Sequence, residues 1–208
     1  MADIVLDVQS APVTPSAGQA NLSFNTTTKL LMTTNDAGLR KSLDFVNFST
    51  ASQAPGAATR TYITGSNIAF VAAGLQAGTI LRWMFNMTKT GAGLAASTFD
   101  IAFGTAGTTA DTARVSFTKP AGTAVIDEAN VIIFCVIRSI GAAGVAVGKF
   151  NMTHNLAATG HALIPCVDVV TVSAGFDMTA LTNVGVCITS GAADAITIQL
   201  CTAEAMNL

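Results

Sequence analysis

Apolar and polar residues alternate in short runs through most of the chain after Tyr62, which is the pattern of strands that bury one face. The clearest run is Ile80 to Thr88. Its apolar positions share one face: Leu81, Trp83, Phe85 and Met87. Its polar positions share the other: Arg82, Asn86 and Thr88. We therefore expect Trp83 to lie at the centre of the core.

Further strands are predicted on the same grounds. Thr98 to Phe103 alternates with period two, and Val115 and Phe117 continue the pattern. Val131 to Ile137 is apolar at both parities, so we expect it to be covered on both faces, between the core and a subunit interface. The remaining strands are predicted at Val145 to Thr153, Cys166 to Ser173, Asn183 to Thr189 and Ala195 to Thr202.

This count of roughly eight strands, with short turns and no helical period, predicts an all-β fold with a jelly-roll-like β-sandwich. The length of 208 residues accommodates one such domain and an arm. We predict an N-terminal arm with a small hairpin at residues 1–60, for anchoring or oligomerisation, and the sandwich at residues 61–208.

The predicted arm differs from the rest of the chain in its Pro and Gly content and in its weaker alternation. Pro12, Pro15 and Gly18 favour extended or turned chain. A turn is expected at Asn35 to Gly38, whereas Arg40 to Ser52 fits neither the helical nor the strand period. Short strands are predicted at Asp3 to Val8, Asn21 to Phe24 and Lys29 to Thr33, the last two forming the hairpin.

Charge is sparse along the whole chain. Only 11% of residues are charged and the net charge is -2. The sequence therefore does not predict the concentration of positive charge that binds nucleic acid or an anionic membrane. Half of the residues are hydrophobic, yet no run approaches the roughly 18 apolar residues of a membrane span. A surface with so little charge promotes association, so we expect an oligomer.

The first residues carry acidic side chains where an export signal would carry positive charge. Asp3 and Asp7 occupy these positions, so no export signal is predicted. The matches to the N-glycosylation pattern are then incidental: Asn25, Asn47, Asn86 and Asn151.

Four cysteines are spaced too irregularly for a paired zinc motif or a redox Cys-x-x-Cys: Cys135, Cys166, Cys187 and Cys201. We expect free thiols that behave as small buried hydrophobes, with structural disulfides as the open alternative. Cys187 and Cys201 share their strand parity with small or polar neighbours and are placed to face a subunit contact.

Two glycine-rich stretches resemble nucleotide-binding motifs. Gly91, Gly93 and Ala96 match G-x-G-x-x-A, with Asp111 following, but the next residues alternate as a strand where a helix is required. The first stretch is therefore interpreted as a β-hairpin loop. The second, Gly144 to Phe150, lacks the Ser or Thr that would hold magnesium and is interpreted as a strand.

Ionisable residues form no convincing catalytic or metal-binding set. His154 and His161 flank a Gly-containing loop without a nearby acid, so we expect them to hydrogen-bond locally, with a histidine-based interface site as the alternative. Asp127-Glu128 is interpreted as a solvated turn. We predict no catalytic residue, cofactor or metal.

Three arginines lie on predicted core-region strands: Arg82, Arg114 and Arg138. Each stands opposite apolar neighbours, so we expect ion pairs at a subunit contact. Asp100 and Asp111 are the partners expected for them.

Several short motifs, taken together, resemble a module common in predicted virion proteins of tailed bacteriophages. They are Leu81-Arg82-Trp83, Lys89 to Gly93, Phe99 to Thr105, Ala110 to Arg114, Val136 to Ser139, His154-Asn155-Leu156, Ser173 to Asp177 and Ala203 to Leu208. The resemblance covers about Tyr62 to Leu208. Separately, Pro12 to Leu39 looks like the N-terminal segment of phage fibre and appendage proteins.

This resemblance implies a trimeric jelly roll displayed on the virion surface, without catalytic residues, assembled in the host cytoplasm. The leading hypothesis is a capsid decoration (cement) or head-fibre protein whose arm binds the major capsid protein or another virion protein. The alternative is a tail-fibre receptor-binding module that recognises host surface glycans. That alternative is weakened because the only Trp and Tyr, Trp83 and Tyr62, are predicted in strands. An enzyme such as a depolymerase would need a carboxylate pair in a groove.

Overall fold

The computed structural model describes residues 7–9, 17, 20–25, 31–35, 40–42, 47–191 and 196–206. Apart from residue 17, side chains are described only within 47–191 and 196–206. These ranges contain fifteen strands and no helix, which confirms the predicted all-β class.

Four strands of the arm form one sheet, in the order β1-β2-β3-β4. β2 and β3 pair antiparallel, with Ala20 opposite Asn35, as the predicted hairpin requires. The predicted turn at 35–38 and the Pro-rich stretch at 12–18 lie largely outside the described residues. The strands are β1 (Asp7–Gln9), β2 (Ala20–Asn25), β3 (Leu31–Asn35) and β4 (Arg40–Ser42).

The rest of the described chain forms two facing sheets. The six-stranded sheet has the order β13-β12-β11-β8-β15-β5, and the other sheet has the order β10-β9-β14-β6, with the short β7 beside β14. The strands are β5 (Asn47–Ser49), β6 (Arg60–Tyr62), β7 (Ile68–Ala69), β8 (Ile80–Lys89), β9 (Ser97–Gly104), β10 (Thr112–Lys119), β11 (Asp127–Ser139), β12 (Val145–His154), β13 (Cys166–Val172), β14 (Asn183–Thr189) and β15 (Ile196–Met206).

Strand pairing follows a nested order. β9 pairs with β10, β8 with β11, β6 with β14 and β5 with β15, all antiparallel. The chain is therefore a long hairpin of strand pairs rolled across two sheets, which is the jelly-roll winding. β12 and β13 are inserted between β11 and β14 and widen one sheet to six strands.

The core lies between the two sheets, and Trp83 is fully buried within it, as predicted. Its indole Nε1 donates to the carbonyl of Ser66 at 2.7 Å. Phe150 of the six-stranded sheet contacts Phe99 and Phe117 of the other sheet, with ring centroids 5.1 and 5.8 Å apart. Gly148 makes room for this contact, because a Cβ there would lie 2.6 Å from the Phe117 ring.

Several predictions are corrected in detail. The loop at 90–96 crosses between the sheets, so it is not the hairpin loop that the pattern suggested. The ambiguous stretch before residue 53 contributes β4 and β5. All four cysteines are free, as expected, but Cys166 is exposed rather than buried. Cys187 and Cys201 are buried rather than placed to face a subunit. Burial raises the pKa of the Cys135, Cys187 and Cys201 thiols to about 12.

Candidate functional surface of the six-stranded sheet

The outer face of the six-stranded sheet changes from largely apolar to polar along the direction of the strands. Strand register places five apolar side chains in one row across five neighbouring strands: Val172, Val147, Val136, Ile80 and Met206. Val172 and Met206, at the two ends of the row, are 49% and 45% exposed. We call this row, together with the two rows beside it, the apolar half of the outer face.

The middle row of the apolar half centres on Phe134. Register places it between Lys149 of β12 and Arg82 of β8. Both charges have partners within the chain: Lys149 pairs with Asp168 at 3.1 Å, and Arg82 pairs with Glu204. The charges that flank Phe134 are therefore neutralised locally. The third row is mixed: Ile132, Met84 and the 65% exposed Phe48 share it with Asp168, Asn151 and Thr202.

The ion pairs differ from the predicted ones. Arg82 binds Glu204, and Asp100 accepts hydrogen bonds of 3.0 and 2.6 Å from Arg60. Asp111 accepts hydrogen bonds from the backbone N–H groups of residues 106 and 107. Arg114 lies over the ring of Phe176, 4.9 Å from its centroid.

Toward the other end of the strands the outer face is polar and concave. A groove of about 340 Å³ crosses β15, β8, β11 and β12. Its lining contains four amide side chains and one carboxylate. The lining residues are Asn86, Met87, Thr88, Glu128, Ala129, Asn130, Thr153, His154, Asn155 and Gln199.

Most polar side chains of the groove have no partner within the described residues. Gln199 Nε2 donates to Thr88 Oγ1 at 2.9 Å. The amides of Asn86, Asn130 and Asn155 make no hydrogen bond to any described side chain or backbone group. They are exposed and available to a ligand.

A buried carboxylate lies behind the groove. Asp127 accepts hydrogen bonds from the backbone N–H groups of Glu128 and His161, both at 2.9 Å. It also binds His154 Nδ1 at 2.7 Å. Burial alone would raise the pKa of Asp127, but these hydrogen bonds outweigh it and hold the pKa below its usual value.

Two buried lysines hold the neighbouring loops. Lys89 Nζ donates to the carbonyls of Thr123 and Val125, and Lys119 Nζ donates to the carbonyls of Pro120 and His161. The loops at 120–126 and 155–165 are thereby tied to the strand ends. We call Asp127, His154, His161, Lys89 and Lys119 the Asp127 cluster.

His161 is the least satisfied member of the Asp127 cluster. It is fully buried, and neither ring nitrogen has a hydrogen-bond partner among the described residues. Burial lowers its pKa to about 4, and the positive charge of Lys119 acts in the same direction. The ring is therefore neutral at pH 7, because its proton would be buried beside other cations.

The cluster corrects two sequence-based interpretations. Asp127 and Glu128 open β11 rather than forming a solvated turn, and Asp127 is only 4% exposed. His154 binds a carboxylate 27 residues away in the chain rather than hydrogen-bonding locally. One signal was present in the sequence: Asp127 has the same parity as Val131 and Ile133, which face the core.

The arrangement offers little for catalysis. In the buried Asp127–His154 pair, His154 Nε2 binds the carbonyl of Ile164 at 2.6 Å and is not free to activate a nucleophile. The groove lining holds one carboxylate, Glu128, whereas glycoside hydrolysis requires two. No group of three metal-ligating side chains occurs within the described ranges.

No protein-family model and no curated protein matches the chain. Among solved structures, a fructofuranosidase from Schwanniomyces occidentalis complexed with fructose has a TM-score of 0.31 and 6% identity over 89% of this chain. A beta-fructofuranosidase from the same organism, complexed with fructosyl-erythritol, has a TM-score of 0.28 and 7% identity over 89%. The chain spans 39% of the length of each. At these TM-scores neither likeness carries an argument about function.

The part of the chain that the structure describes has no helix with the length and apolar character needed to cross a membrane.

Proposed function

We propose that the protein is a structural virion protein of a tailed phage, a homotrimeric capsid decoration or head-fibre protein displayed on the particle surface. The sequence resemblance motivates the phage assignment. The structural observation that carries the proposal is the apolar half of the outer sheet face, because it gives the chain a surface for self-association.

The size of this surface supports a subunit contact. The first row crosses five strands, and the third row also reaches Phe48 of β5. At spacings of about 4.8 Å between strands and about 6.6 Å between rows on one face, the three rows cover on the order of 400 Å², of which the apolar side chains form part. Exposed apolar side chains grouped in this way commonly mark an interaction site. The middle row adds no net charge, since Lys149–Asp168 and Arg82–Glu204 are both paired. A second copy therefore meets neither repulsion nor an unpaired buried charge there.

The arm supports anchoring. β1 and β4 end the order of the four-stranded sheet, so each pairs with one neighbouring strand. Sheet edges of this kind accept an added strand from a partner. The partner in this proposal is the major capsid protein or another virion structural protein.

Immunogold electron microscopy of intact virions tests the proposal. Decoration or a head fibre predicts label on heads, and particles of a deletion strain lacking the gene serve as the control. Absence of label from virions that carry label for a known capsid protein would contradict the virion assignment.

A second candidate function is host recognition, as the receptor-binding module of a tail fibre. The polar groove favours it, because the groove presents uncommitted amides at the surface. In this case gold label would be confined to the tail. Aromatic platforms typical of glycan sites are absent from the groove lining, since Trp83 is buried and Tyr62 lies in β6 of the other sheet.

A further inference from the structure

We propose that the groove binds an uncharged saccharide through hydrogen bonds alone. The inference rests on the host-recognition candidate and deepens it by restricting the ligand to uncharged sugars and by naming the residues that bind them. The groove volume of about 340 Å³ is near the lower end for small-molecule sites. It therefore fits a ligand of one or two sugar rings rather than a long chain.

The hydrogen-bonding capacity of the lining is suited to hydroxyl groups in particular. Each amide of Asn86, Asn130 and Asn155 offers both donors and an acceptor, as each hydroxyl of a sugar does. Glu128 adds two carboxylate oxygens that can accept hydrogen bonds from neighbouring hydroxyls. A ligand that only donates or only accepts would leave half of these groups unsatisfied.

Charge excludes the competing ligand classes. The lining contains no lysine or arginine, and the Glu128 carboxylate repels anions such as phosphates and acidic sugars. A single carboxylate is too few ligands for a bound divalent cation. Apolar ligands are disfavoured because they would displace the water that hydrogen-bonds to the amides and would offer no hydrogen bonds in its place.

The groove is held in shape by the Asp127 cluster. Thr153, His154 and Asn155 form one wall, and His154 is fixed by Asp127 and the carbonyl of Ile164. The backbone N–H of Asn155 donates to the carbonyl of Glu128 at 3.2 Å, which joins this wall to β11. A preformed wall reduces the entropy lost when a ligand binds.

Affinity per site should still be weak. Without an aromatic surface for stacking, hydrogen bonds exchanged with water contribute little each. We expect a dissociation constant on the order of 1 mM or weaker. A trimer carries three copies of the groove, so binding to a repetitive host surface would depend on avidity.

Saturation-transfer NMR on the full-length protein tests the inference directly. The probes are methyl glycosides of neutral hexoses and N-acetylhexosamines, with N-acetylneuraminic acid and glucuronic acid as charged comparisons. We expect saturation of at least one neutral probe and of neither acid. The double variant Asn86→Ala/Asn130→Ala should weaken the binding at least about tenfold, because two hydrogen-bonding groups are lost.

The matched control is Asn151→Ala. Asn151 lies on the same outer face, opposite Ile132 in β11, but outside the groove lining. It should bind as the unchanged protein does, with all variants showing the same melting temperature. Saturation of no neutral probe, equal saturation of the acids, or equal loss in the control would each overturn the inference.

These outcomes are separate from those of the virion labelling. Label on the tail together with no saccharide binding would leave host recognition standing through another surface and remove this inference. Saccharide binding together with label on heads would retain the inference and assign the groove to a head-displayed protein.

Discussion

The imidazole of His154 lies between two acceptors, Asp127 on one side and the carbonyl of Ile164 on the other. The Nδ1–Oδ2 distance is 2.7 Å and the Nε2–O distance is 2.6 Å. Both ring nitrogens of His154 are therefore engaged, one by a carboxylate and the other by a backbone carbonyl. The pair therefore pins the loop at 155–165 to the start of β11.

Removing the charge of Asp127 should weaken the fold and release this loop. Asp127→Asn leaves a buried His154 without its carboxylate, which costs about 3 kcal/mol in the free energy of unfolding. Urea denaturation measures that loss, and faster amide hydrogen exchange at 155–165 locates it. Asp177→Asn is the control, because Asp177 is exposed and its hydrogen bonds reach only Thr179, two residues away. Equal losses in the two variants would show that the Asp127 cluster does not hold the loop.

Stability should fall as the pH drops from about 6.5 to 4. His161 has a pKa of about 4 in the folded protein, below its ordinary value of 6.5, since burial opposes its charge. The unfolded chain therefore takes up the proton first, and stability present above pH 6.5 is lost as the pH falls toward 4. The full loss is about 3 kcal/mol.

The groups facing His161 are Lys119, Asp127, His154 and Lys89. Asp127 titrates below its unfolded pKa of 3.8, so its own contribution is lost at lower pH than that of His161. His161→Leu should accordingly flatten the profile between pH 6.5 and 4 while leaving a steep loss below about pH 4. An unchanged slope in denaturation midpoints across that window would exclude His161 as its source.

Trp83 should be the most costly single truncation in the core. Trp83→Ala removes a fully buried ring and leaves the Ser66 carbonyl without its donor, which destabilises by about 3 to 5 kcal/mol. A scanning calorimetry melt should shift down by many degrees. Asn86→Ala, on the exposed face of the same strand, should change stability by at most about 0.5 kcal/mol. An unchanged melt for Trp83→Ala would contradict the burial of this face.

The arm should be dispensable for folding but needed for attachment. Deleting residues 1–46 removes β1 to β4 and keeps β5, which pairs with β15 in the six-stranded sheet. The shortened protein should remain folded and trimeric by circular dichroism and light scattering, yet fail to join particles when it replaces the full chain. Normal incorporation into virions would contradict anchoring through the arm.

Sequence patterns predicted the parts of the fold that depend on local alternation. The β8 face with Trp83 followed from period two, because β8 buries one face. The span of β14 was also predicted as observed, although β14 is buried at both parities. The start of β11 was missed, since the polar pair Asp127-Glu128 resembles a turn. Its burial depends on donors that come from distant parts of the chain.

The Asp127 cluster could not be predicted from sequence patterns, because it depends on contacts between residues that are far apart in the chain. His161 reaches Asp127 through its backbone, at a loop position preceded by Gly160 with φ +87°. A Cβ at Gly160 would lie 2.0 Å from Asp127 Oδ2, so the contact requires glycine there. The groove likewise depends on register across four strands, which single-strand patterns do not specify.

Sedimentation equilibrium of the full-length protein and of Phe134→Glu tests self-association through the apolar half of the outer face. Phe134 lies at the centre of that surface, and Thr118→Glu on exposed β10 of the other sheet is the control. We predict that the unchanged protein and Thr118→Glu sediment at three times the chain mass of 21.1 kDa, and that Phe134→Glu sediments as a folded monomer. A monomeric unchanged protein, or a Phe134→Glu variant that remains a trimer, would contradict the account.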